Sequence, residues 1–333
     1  MKAYVMPAGC KGIDDLKLVE KPDPKPGPGQ VLVRVRAASL NYRDQAAITG
    51  NYFQQVTQDT VPLSDGAGEI VAVGEGVQSL KVGDKVAGTF SQPSPNGPAN
   101  GPALPMGLPL DGMLQELVVM YEVGAIKLPA GYSFEEGATL PCAGVTAWNC
   151  LFGAGKPVKP GDTVLVLGTG GVSIWALQLA KAAGCRVVAT TSKDAKAQRL
   201  QALGASDVIN YKTHEKWDEE VMRVTGKGAD VVVEVGGAGT LQRSMQALAP
   251  GGKIGLIGVL TQGSSNPHTL MMKGGSLQGI FVGGRPLFEQ LIAAIDANGV
   301  KPVIDKVFPF DQAKEAFRHA ASGDFIGKVV IAV

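Results

Sequence analysis

The chain has 333 residues, with 31 basic and 30 acidic side chains and a formal net charge of +1. This near balance, with no basic block, does not indicate a basic surface that would bind nucleic acid or an anionic membrane, so the expected partner is a small molecule. Two domains are expected, because single cores stop growing at about 250–300 residues. No apolar run approaches the ~18–20 residues of a membrane span, and the chain opens as a strand and not as a secretory signal, which predicts a cytoplasmic protein.

The N-terminal third predicts a β-rich, barrel-like domain. Short alternating segments at 30–37, 67–73 and 85–89 are punctuated by glycine and proline. Residues 91–109 form a long uncharged stretch rich in proline and glycine. Loops of this length are often functional, so it either borders or covers a substrate site or makes a plain surface excursion.

Residues 163–173 read TVLVLGTGGVS, an apolar strand that ends in a glycine cluster before a helical stretch. This pattern predicts a dinucleotide cradle, in which Gly168 permits the sharp turn and Gly170 lets a pyrophosphate approach the backbone at the helix N-terminus. Ser173 stands where the usual fingerprint has its third glycine, so a simple glycine turn is the alternative.

Strands and helices alternate from this point onward. The predicted strands cover 186–190, 207–210, 229–235, 253–257 and 276–282, and the predicted helices cover 174–183, 195–203, 216–224 and 240–248. This alternation specifies an α/β fold with a doubly wound parallel sheet, whose ligands bind beyond the carboxyl ends of the strands.

Four segments in this order resemble the medium-chain dehydrogenase/reductase superfamily: GAGEIVAVG at 66–74, VGDKV at 82–86, PGDTVLVLG at 160–168 and LGASDVINY at 203–211. The resemblance implies a GroES-like catalytic domain made of residues 1–123 and 297–333, and a Rossmann domain made of residues 124–296. The last segment, with a strand at 301–310, a helix at 311–321 and a strand at 328–333, would fold back onto the N-terminal domain. The active site would then lie in the interdomain cleft.

The chain lacks the ligand pattern of zinc-dependent members of that superfamily. Its three histidines lie outside the N-terminal domain, and its four cysteines have no C-x-x-C spacing. Where zinc members carry Gly-Cys-x-x-Asp or Gly-His-Glu, this chain has LNYRD at 40–44 and LSDGA at 63–67. The sequence therefore predicts no metal site. It resembles the zinc-independent, quinone-oxidoreductase-like branch.

The missing metal bears on the expected reaction. Alcohol oxidation without a Lewis acid must form an alkoxide unaided, whereas hydride addition to a conjugated acceptor leaves charge on a carbonyl oxygen that needs only hydrogen-bond donors. We therefore expect NADPH-dependent reduction of a quinone or an α,β-unsaturated carbonyl. The alternatives are a zinc-independent alcohol or aldehyde dehydrogenase and a non-catalytic NADPH-binding protein.

The resemblance also implies catalytic residues, because Asn41, Asp44 and Tyr52 fit the branch's N-x-x-[DE] segment and the tyrosine that follows it. Tyr52 is predicted to donate its O–H to the developing enolate, and Asn41 to orient the nicotinamide or the substrate carbonyl. The alternatives are that Tyr52 is a packed aromatic residue and that Asp44 only caps a helix or pairs with Arg43.

Residues 190–196, TTSKDAK, stand where an NAD-selective enzyme ends its second strand with Asp or Glu. Hydroxyl and ammonium groups can bind the 2′-phosphate, so NADPH is expected to be preferred, with NADH possible. Asp194 would weaken the preference if it turned inward, and by resemblance Tyr211 stacks beside the same phosphate. The predicted cofactor-binding residues are Thr146, Gly168, Gly170, Gly171, Val172, Thr191, Ser192, Lys196, Tyr211, Gly236, Gly258 and Val282.

The predicted strand at 276–282 is too apolar for a free edge, because Leu277, Ile280 and Phe281 would face solvent. It is expected to pair across a twofold axis in a homodimer, as in the proteins that the chain resembles.

Overall fold

The computed structural model describes residues 1–93 and 103–333. These divide into two compact units, the first made of Met1–Ala143 and Gly284–Val333 and the second of Gly144–Gly283. The central part of the predicted loop, residues 94–102, lies outside the described residues.

The N-terminal part of the first unit is rich in short strands, as its alternating pattern predicts. Along the longest of them the side chains at odd-numbered positions from 31 to 37 are buried, because successive residues of a strand point to opposite faces. The elements in chain order are β1 (Lys2–Val5), β2 (Lys17–Glu20), β3 (Gln30–Ser39), α1 (Tyr42–Ile48), β4 (Asp65–Val73), β5 (Lys85–Gly88), β6 (Ser91–Gln92), β7 (Leu104–Pro105), β8 (Leu117–Tyr121), β9 (Ala125–Lys127) and α2 (Phe134–Ala138).

The second unit, which the structure describes throughout, alternates strands and helices. Its elements are α3 (Val145–Trp148), β10 (Thr163–Val166), α4 (Gly171–Ala182), β11 (Arg186–Thr191), α5 (Ala197–Ala202), β12 (Asp207–Asn210), α6 (Trp217–Thr225), β13 (Ala229–Glu234), α7 (Ala238–Ala247), β14 (Leu248–Leu256), α8 (His268–Met272) and β15 (Ser276–Gly279). All neighbouring strands run parallel, in the order β12-β11-β10-β13-β14-β15. This order reverses beside β10, which confirms the doubly wound fold and puts a ligand-binding switch point at the end of that strand.

The C-terminal segment returns to the first unit with α9 (Arg285–Asn298), β16 (Ile304–Pro309), α10 (Ala313–Ala321) and β17 (Lys328–Ala332). β17 pairs antiparallel with β3, and β16 pairs parallel with β17. In the described part of the chain these strands extend a sheet in the order β16-β17-β3-β4-β5-β9, with β8 also beside β3. The sheet encloses the apolar core of the unit, to which Val33, Ile70 and Phe317 belong.

The boundaries of the units differ from those predicted at 123/124 and 296/297. α2 packs against β3 and β4, and the Tyr132 hydroxyl donates to the Val300 carbonyl at 2.5 Å. Arg285 Nη1 donates to the carbonyls of Glu122, Val123 and Ala125 at 3.2, 3.0 and 3.3 Å. These bonds attach residues 124–143 and 284–296 to the first unit.

None of the helices in the described ranges is long and apolar enough to cross a bilayer.

Candidate functional site

The glycine turn after β10 has the geometry that its sequence predicts. Gly168 has a φ of +72°, which favours glycine, and its N–H donates to Thr190 Oγ1 at 3.1 Å. Gly170 is the N-cap of α4, and Gly171 and Val172 begin the helix. A Cβ on Gly170 would meet no atom within 4 Å, so the turn leaves open space beside the helix N-terminus.

Ser173 stands in place of the third glycine of the fingerprint, and its hydroxyl is hydrogen-bonded although it is buried. Its side chain is buried, and its hydroxyl donates to the Leu167 carbonyl at 2.7 Å. A small side chain that satisfies its own hydroxyl can therefore occupy this position between helix and strand.

The residues after β11 gather hydroxyl and ammonium groups beside the glycine turn. Lys196, only 8% exposed, donates from Nζ to Thr169 Oγ1 at 3.2 Å. Ser192 is half-buried, and Tyr211, which follows β12, is exposed. The Asp194 carboxylate accepts a hydrogen bond from Asn210 Nδ2 at 2.8 Å.

Glu234 organises the end of β13, a role that the sequence analysis did not assign. This buried carboxylate accepts hydrogen bonds from the N–H groups of Gly236 and Gly237 at 2.7 and 3.0 Å, and from the Thr240 and Ser244 hydroxyls. Its position at the carboxyl end of a buried strand, just before two glycines, was a usable signal. The predicted residue Gly258 contacts the same turn, where a Cβ would lie 1.9 Å from the Val235 carbonyl oxygen.

Two further predicted cofactor residues lie in the second unit. Val282 has a φ of +45°, a rare conformation for a β-branched residue, and its carbonyl accepts a hydrogen bond from Asn149 Nδ2 at 2.7 Å. Strain of this kind is often retained at functional sites. Thr146 is buried on α3.

In the first unit, Asn41 and Asp44 meet at the start of α1. Asp44 Oδ2 accepts a hydrogen bond from the Asn41 backbone N–H at 2.7 Å, and the buried carboxylate lies 4.0 Å from the Arg43 guanidinium. Burial raises the pKa of Asp44 to about 6, against the opposing influence of Arg43 and of the Asn41 N–H. This geometry favours the capping alternative for Asp44 over direct contact with a substrate.

Tyr52 contacts Arg43. The buried guanidinium lies 5.2 Å from the centre of the Tyr52 ring and 5.0 Å from that of Phe90, and Nε donates to the Tyr52 hydroxyl oxygen at 3.4 Å. Arg43 is itself held by the carbonyls of Met106 and Leu108. Because a guanidinium only donates, the Tyr52 proton is left to be donated elsewhere.

The side chain of Asn41 belongs to a buried polar group that the sequence analysis did not assemble, here called the Lys328 cluster and made of Lys328, Asn41, Ser64 and Asp65. Lys328 Nζ donates to the Leu40 carbonyl at 2.5 Å and to Asn41 Oδ1 at 2.6 Å. Asn41 Nδ2 lies 3.5 Å from Ser64 Oγ, and Ser64 Oγ donates to Asp65 Oδ1 at 2.8 Å.

The surroundings of the Lys328 cluster are also constrained. Asp65 Oδ2 accepts the Cys142 backbone N–H at 3.0 Å, and burial raises the pKa values of both the Asp65 carboxyl and the Cys142 thiol. Leu63, just before Ser64, has a φ of +71° and is fully buried. A non-glycine residue held in this conformation is strained, which again is typical of functional sites.

Comparison with known proteins gives matches over both units. The family model described as Alcohol dehydrogenase GroES-like domain matches residues 27–130, and the one described as Zinc-binding dehydrogenase matches residues 171–297. A zinc-type alcohol dehydrogenase-like protein of Schizosaccharomyces pombe is 43% identical over 99% of both chains. The quinone oxidoreductase of Rattus norvegicus is 29% identical over 92% of this chain and 90% of its own.

A solved structure, that of an NAD-dependent alcohol dehydrogenase, superposes over the whole of both chains with a TM-score of 0.90 and 33% identity. The matches thus agree with the resemblance carried by the four sequence segments and with the pairing of a GroES-like unit with a Rossmann unit. The chain belongs to the medium-chain dehydrogenase/reductase superfamily and is an oxidoreductase.

Proposed function

We propose that this oxidoreductase uses NADPH to reduce a quinone or an α,β-unsaturated carbonyl without a metal ion. The observation that carries the proposal is the Lys328 cluster. The two segments that hold ligands in zinc-dependent relatives here present an amide and a hydroxyl, and a buried ammonium lies 2.6 Å from the amide oxygen. Such groups donate hydrogen bonds to oxygen.

The cluster does not suit Zn²⁺, which binds thiolate, imidazole and carboxylate, because among its four residues Asp65 alone has such a group, and that carboxylate already accepts bonds from Ser64 Oγ and the Cys142 N–H. The positive charge of Lys328 opposes a second cation nearby, and burial disfavours the thiolate form of Cys142 by raising its pKa. Over residues 1–93 and 103–333, no three His, Cys, Asp or Glu side chains converge in a way that could hold a metal ion. Zinc is therefore given no part in the proposed reaction.

The second unit offers the groups that would hold NADPH. The open space at Gly170 and the N–H groups that begin α4 would take the pyrophosphate. Ser192 and Lys196 would bind the 2′-phosphate, and the hydrogen bond of Asp194 to Asn210 supports this choice because the carboxylate is already engaged. When bound, NADPH supplies a hydride from its nicotinamide ring.

In the first unit, Asn41 and Tyr52 would assist the acceptor. Asn41 would donate from Nδ2 to the carbonyl oxygen, where negative charge develops during hydride addition. Tyr52 would deliver its hydroxyl proton to the enolate or quinol oxygen. Arg43 Nε donates to the oxygen of that hydroxyl and so does not compete for its proton. Asp44 would act indirectly, by holding the Asn41 backbone at the start of α1.

The direct test follows NADPH absorbance with naphthoquinone, unsaturated aldehydes and cyclic enones, each with and without a chelator. Reduction that survives the chelator supports the proposal, and failure to reduce any of these acceptors with either nicotinamide refutes it. Tyr52→Phe should lower kcat/KM by about tenfold or more, as expected for lost general-acid assistance. Tyr42→Phe, at an exposed tyrosine ten positions earlier, is the matched control.

The names of the relatives favour one second candidate, an alcohol dehydrogenase, which the residues of the Lys328 cluster lead us to propose in a zinc-independent form. Alcohol-dependent reduction of NADP by a metal-free sample, with no enone or quinone turnover, would select it. Tight NADPH binding with no turnover in either direction would select a binding protein instead.

A further inference from the structure

The Lys328 cluster buries an ammonium group in the first unit. Lys328 is 3% exposed, and its Nζ bonds are to two neutral oxygens, the Leu40 carbonyl and the Asn41 amide. Lysine is rarely buried so fully, and exchange of buried charges for apolar groups is often neutral or stabilising. Its charge also lowers the pKa values of the buried Asp65 and Asp44 carboxyls, so part of its role is to compensate them, and its direct bonds to Leu40 and Asn41 are explained by neither packing nor charge compensation.

The ammonium fixes the orientation of the Asn41 amide. A lysine ammonium has three donors and no acceptor, so the atom that faces it must be Oδ1. Nδ2 then points away from Lys328, towards Ser64 Oγ at 3.5 Å. The Ser64 hydroxyl donates its proton to Asp65 Oδ1, so the lone pairs of Ser64 Oγ are available to accept from Asn41.

The cluster is thus a directional chain of donors that runs from Lys328 through Asn41 and Ser64 to Asp65. One end can only donate, and the carboxylate at the other end accepts from both Ser64 Oγ and the Cys142 N–H. In such a chain each bond polarises the next, and neither the amide nor the hydroxyl can reverse without losing a bond.

Asn41 is only half-buried, and its amide nitrogen carries two N–H groups. The amide faces Ser64 Oγ at 3.5 Å and also hydrogen-bonds the Asp65 carboxylate, so a ligand oxygen would share these donors. If the amide were reversed, its oxygen would face the ligand instead and would repel a carbonyl oxygen.

We propose that Lys328 is a positioning residue that locks the Asn41 amide with its N–H₂ as the donor, so that the first unit selects acceptors with a carbonyl oxygen. This inference rests on the proposed function, in which Asn41 donates to the acceptor carbonyl. Lys328 acts through Asn41 and does not touch the substrate.

The test compares Lys328→Met, which keeps chain length but removes the donors, with Lys328→Arg, which keeps a cationic donor. The control is Lys253→Met, because Lys253 is an equally buried lysine whose Nζ donates to the backbone carbonyls of Cys150 and Ala154. Each protein is labelled with ¹⁵N-asparagine, and the Asn41 side-chain N–H₂ signals are assigned from their loss in Asn41→Ser. These signals report the amide orientation even if no acceptor is ever reduced.

We expect Lys328→Met to shift or broaden the Asn41 signals and to lower kcat/KM about tenfold or more, with the NADPH Kd within twofold of wild type. Lys328→Arg should restore most of the wild-type Asn41 signals and of kcat/KM, and Lys253→Met should change neither the Asn41 signals nor kcat/KM. If Lys328→Met does not fold, the Asn41 signals of Lys328→Arg decide: wild-type-like shifts support the lock and random-coil shifts overturn it. The inference is also overturned if the signals of Lys328→Met match wild type, or if Lys328→Met and Lys253→Met lose activity and Tm in parallel.

Discussion

The titration of Asp44 should make the protein less stable as the pH rises from about 4 to 7. Its pKa is raised from 3.8 to about 6 in the folded chain by burial. Because the folded state binds this proton more tightly than the unfolded state, the stabilisation is complete below pH 3.8 and is lost as the pH rises through about 6. The shift of about two units corresponds to roughly 3 kcal/mol in total, of which about 2 kcal/mol falls between about pH 4.5 and 7.5.

Asp44→Asn removes this titration while keeping an oxygen that can accept the Asn41 N–H. The free energy of unfolding by urea should be measured for wild type and variant across that pH range, and their difference plotted against pH. The subtraction cancels the groups that titrate independently of Asp44. The buried Asp65 does not cancel fully, because its charge is one cause of the raised pKa of Asp44. The difference should fall by about 2 kcal/mol from acid to neutral pH. Asp296→Asn, on the exposed face of α9, is the control variant.

A difference that stays within about 0.5 kcal/mol, or rises with pH, refutes the assignment of a buried, destabilised carboxylate. The same variant separates two roles for Asp44. If it only holds α1, kcat/KM at neutral pH should stay within about threefold of wild type, because a neutral isostere still caps the Asn41 N–H. A loss of about a hundredfold or more would instead mean that the carboxylate takes part in proton transfer.

Three further outcomes are expected. Lys196→Met should weaken NADPH binding by about tenfold to a hundredfold, as for a lost charge-assisted bond, and leave NADH binding nearly unchanged in calorimetry, with exposed Lys181→Met as control; equal losses for both nucleotides would remove Lys196 from the 2′-phosphate. Glu234→Ala should lower the free energy of unfolding by about 3 kcal/mol, because it leaves buried donors unpaired, whereas Glu234→Gln should cost about 1 kcal/mol; equal melting temperatures would contradict this reading of the β13 turn. Leu277 is 41% exposed on the edge strand β15, and we propose that a second copy covers it, so light scattering should give a dimer. Gly279→Pro should dissociate it, because Ile280 N–H bonds to β14 and the N–H of the preceding Gly279 therefore faces the open edge; a monomeric wild type would end that proposal.

Local sequence patterns predicted the alternation of strands and helices in the second unit, but not the short helices α3 and α8 or the observed bounds of β14 and β15. The predicted strand at 207–210 coincides with β12, because its β-branched residues Val208 and Ile209 follow a turn at Gly204. The longest helix there, α4, begins three residues before its predicted start because Gly170 is its N-cap. Helix ends depend on caps that apolar periodicity does not reveal.

Three helices of the first unit, α1, α2 and α9, were not predicted, and α1 and α9 show why. α9 carries Pro286 in its first turn and ends at Gly299, with a φ of +61°, so the sequence did contain start and stop signals. α1 has only seven residues, too few for periodicity, and depends on the bond between Asp44 and the Asn41 N–H. Both cases show that cap residues carry information that a search for apolar repeats overlooks.

The Lys328 cluster follows from strand pairing and not from any local motif. β17 runs antiparallel to β3 with Val330 opposite Ser39, and the bond from the Leu40 N–H to the Val329 carbonyl extends this pairing beyond the end of β3. Two steps along each chain, the same register brings Lys328 to Asn41.

On the other side of β3, Ser39 lies opposite Asp65 of β4, which brings the Ser64–Asp65 pair to the same end of the sheet. Residues 41, 64, 65 and 328 therefore meet only because β17, β3 and β4 are neighbours. No spacing rule within one segment could reveal this, since Lys328 lies 287 positions from Asn41. Once the strand order is known, the inventory of donors and acceptors dictates the rest, because an ammonium beside an asparagine leaves the amide only one orientation.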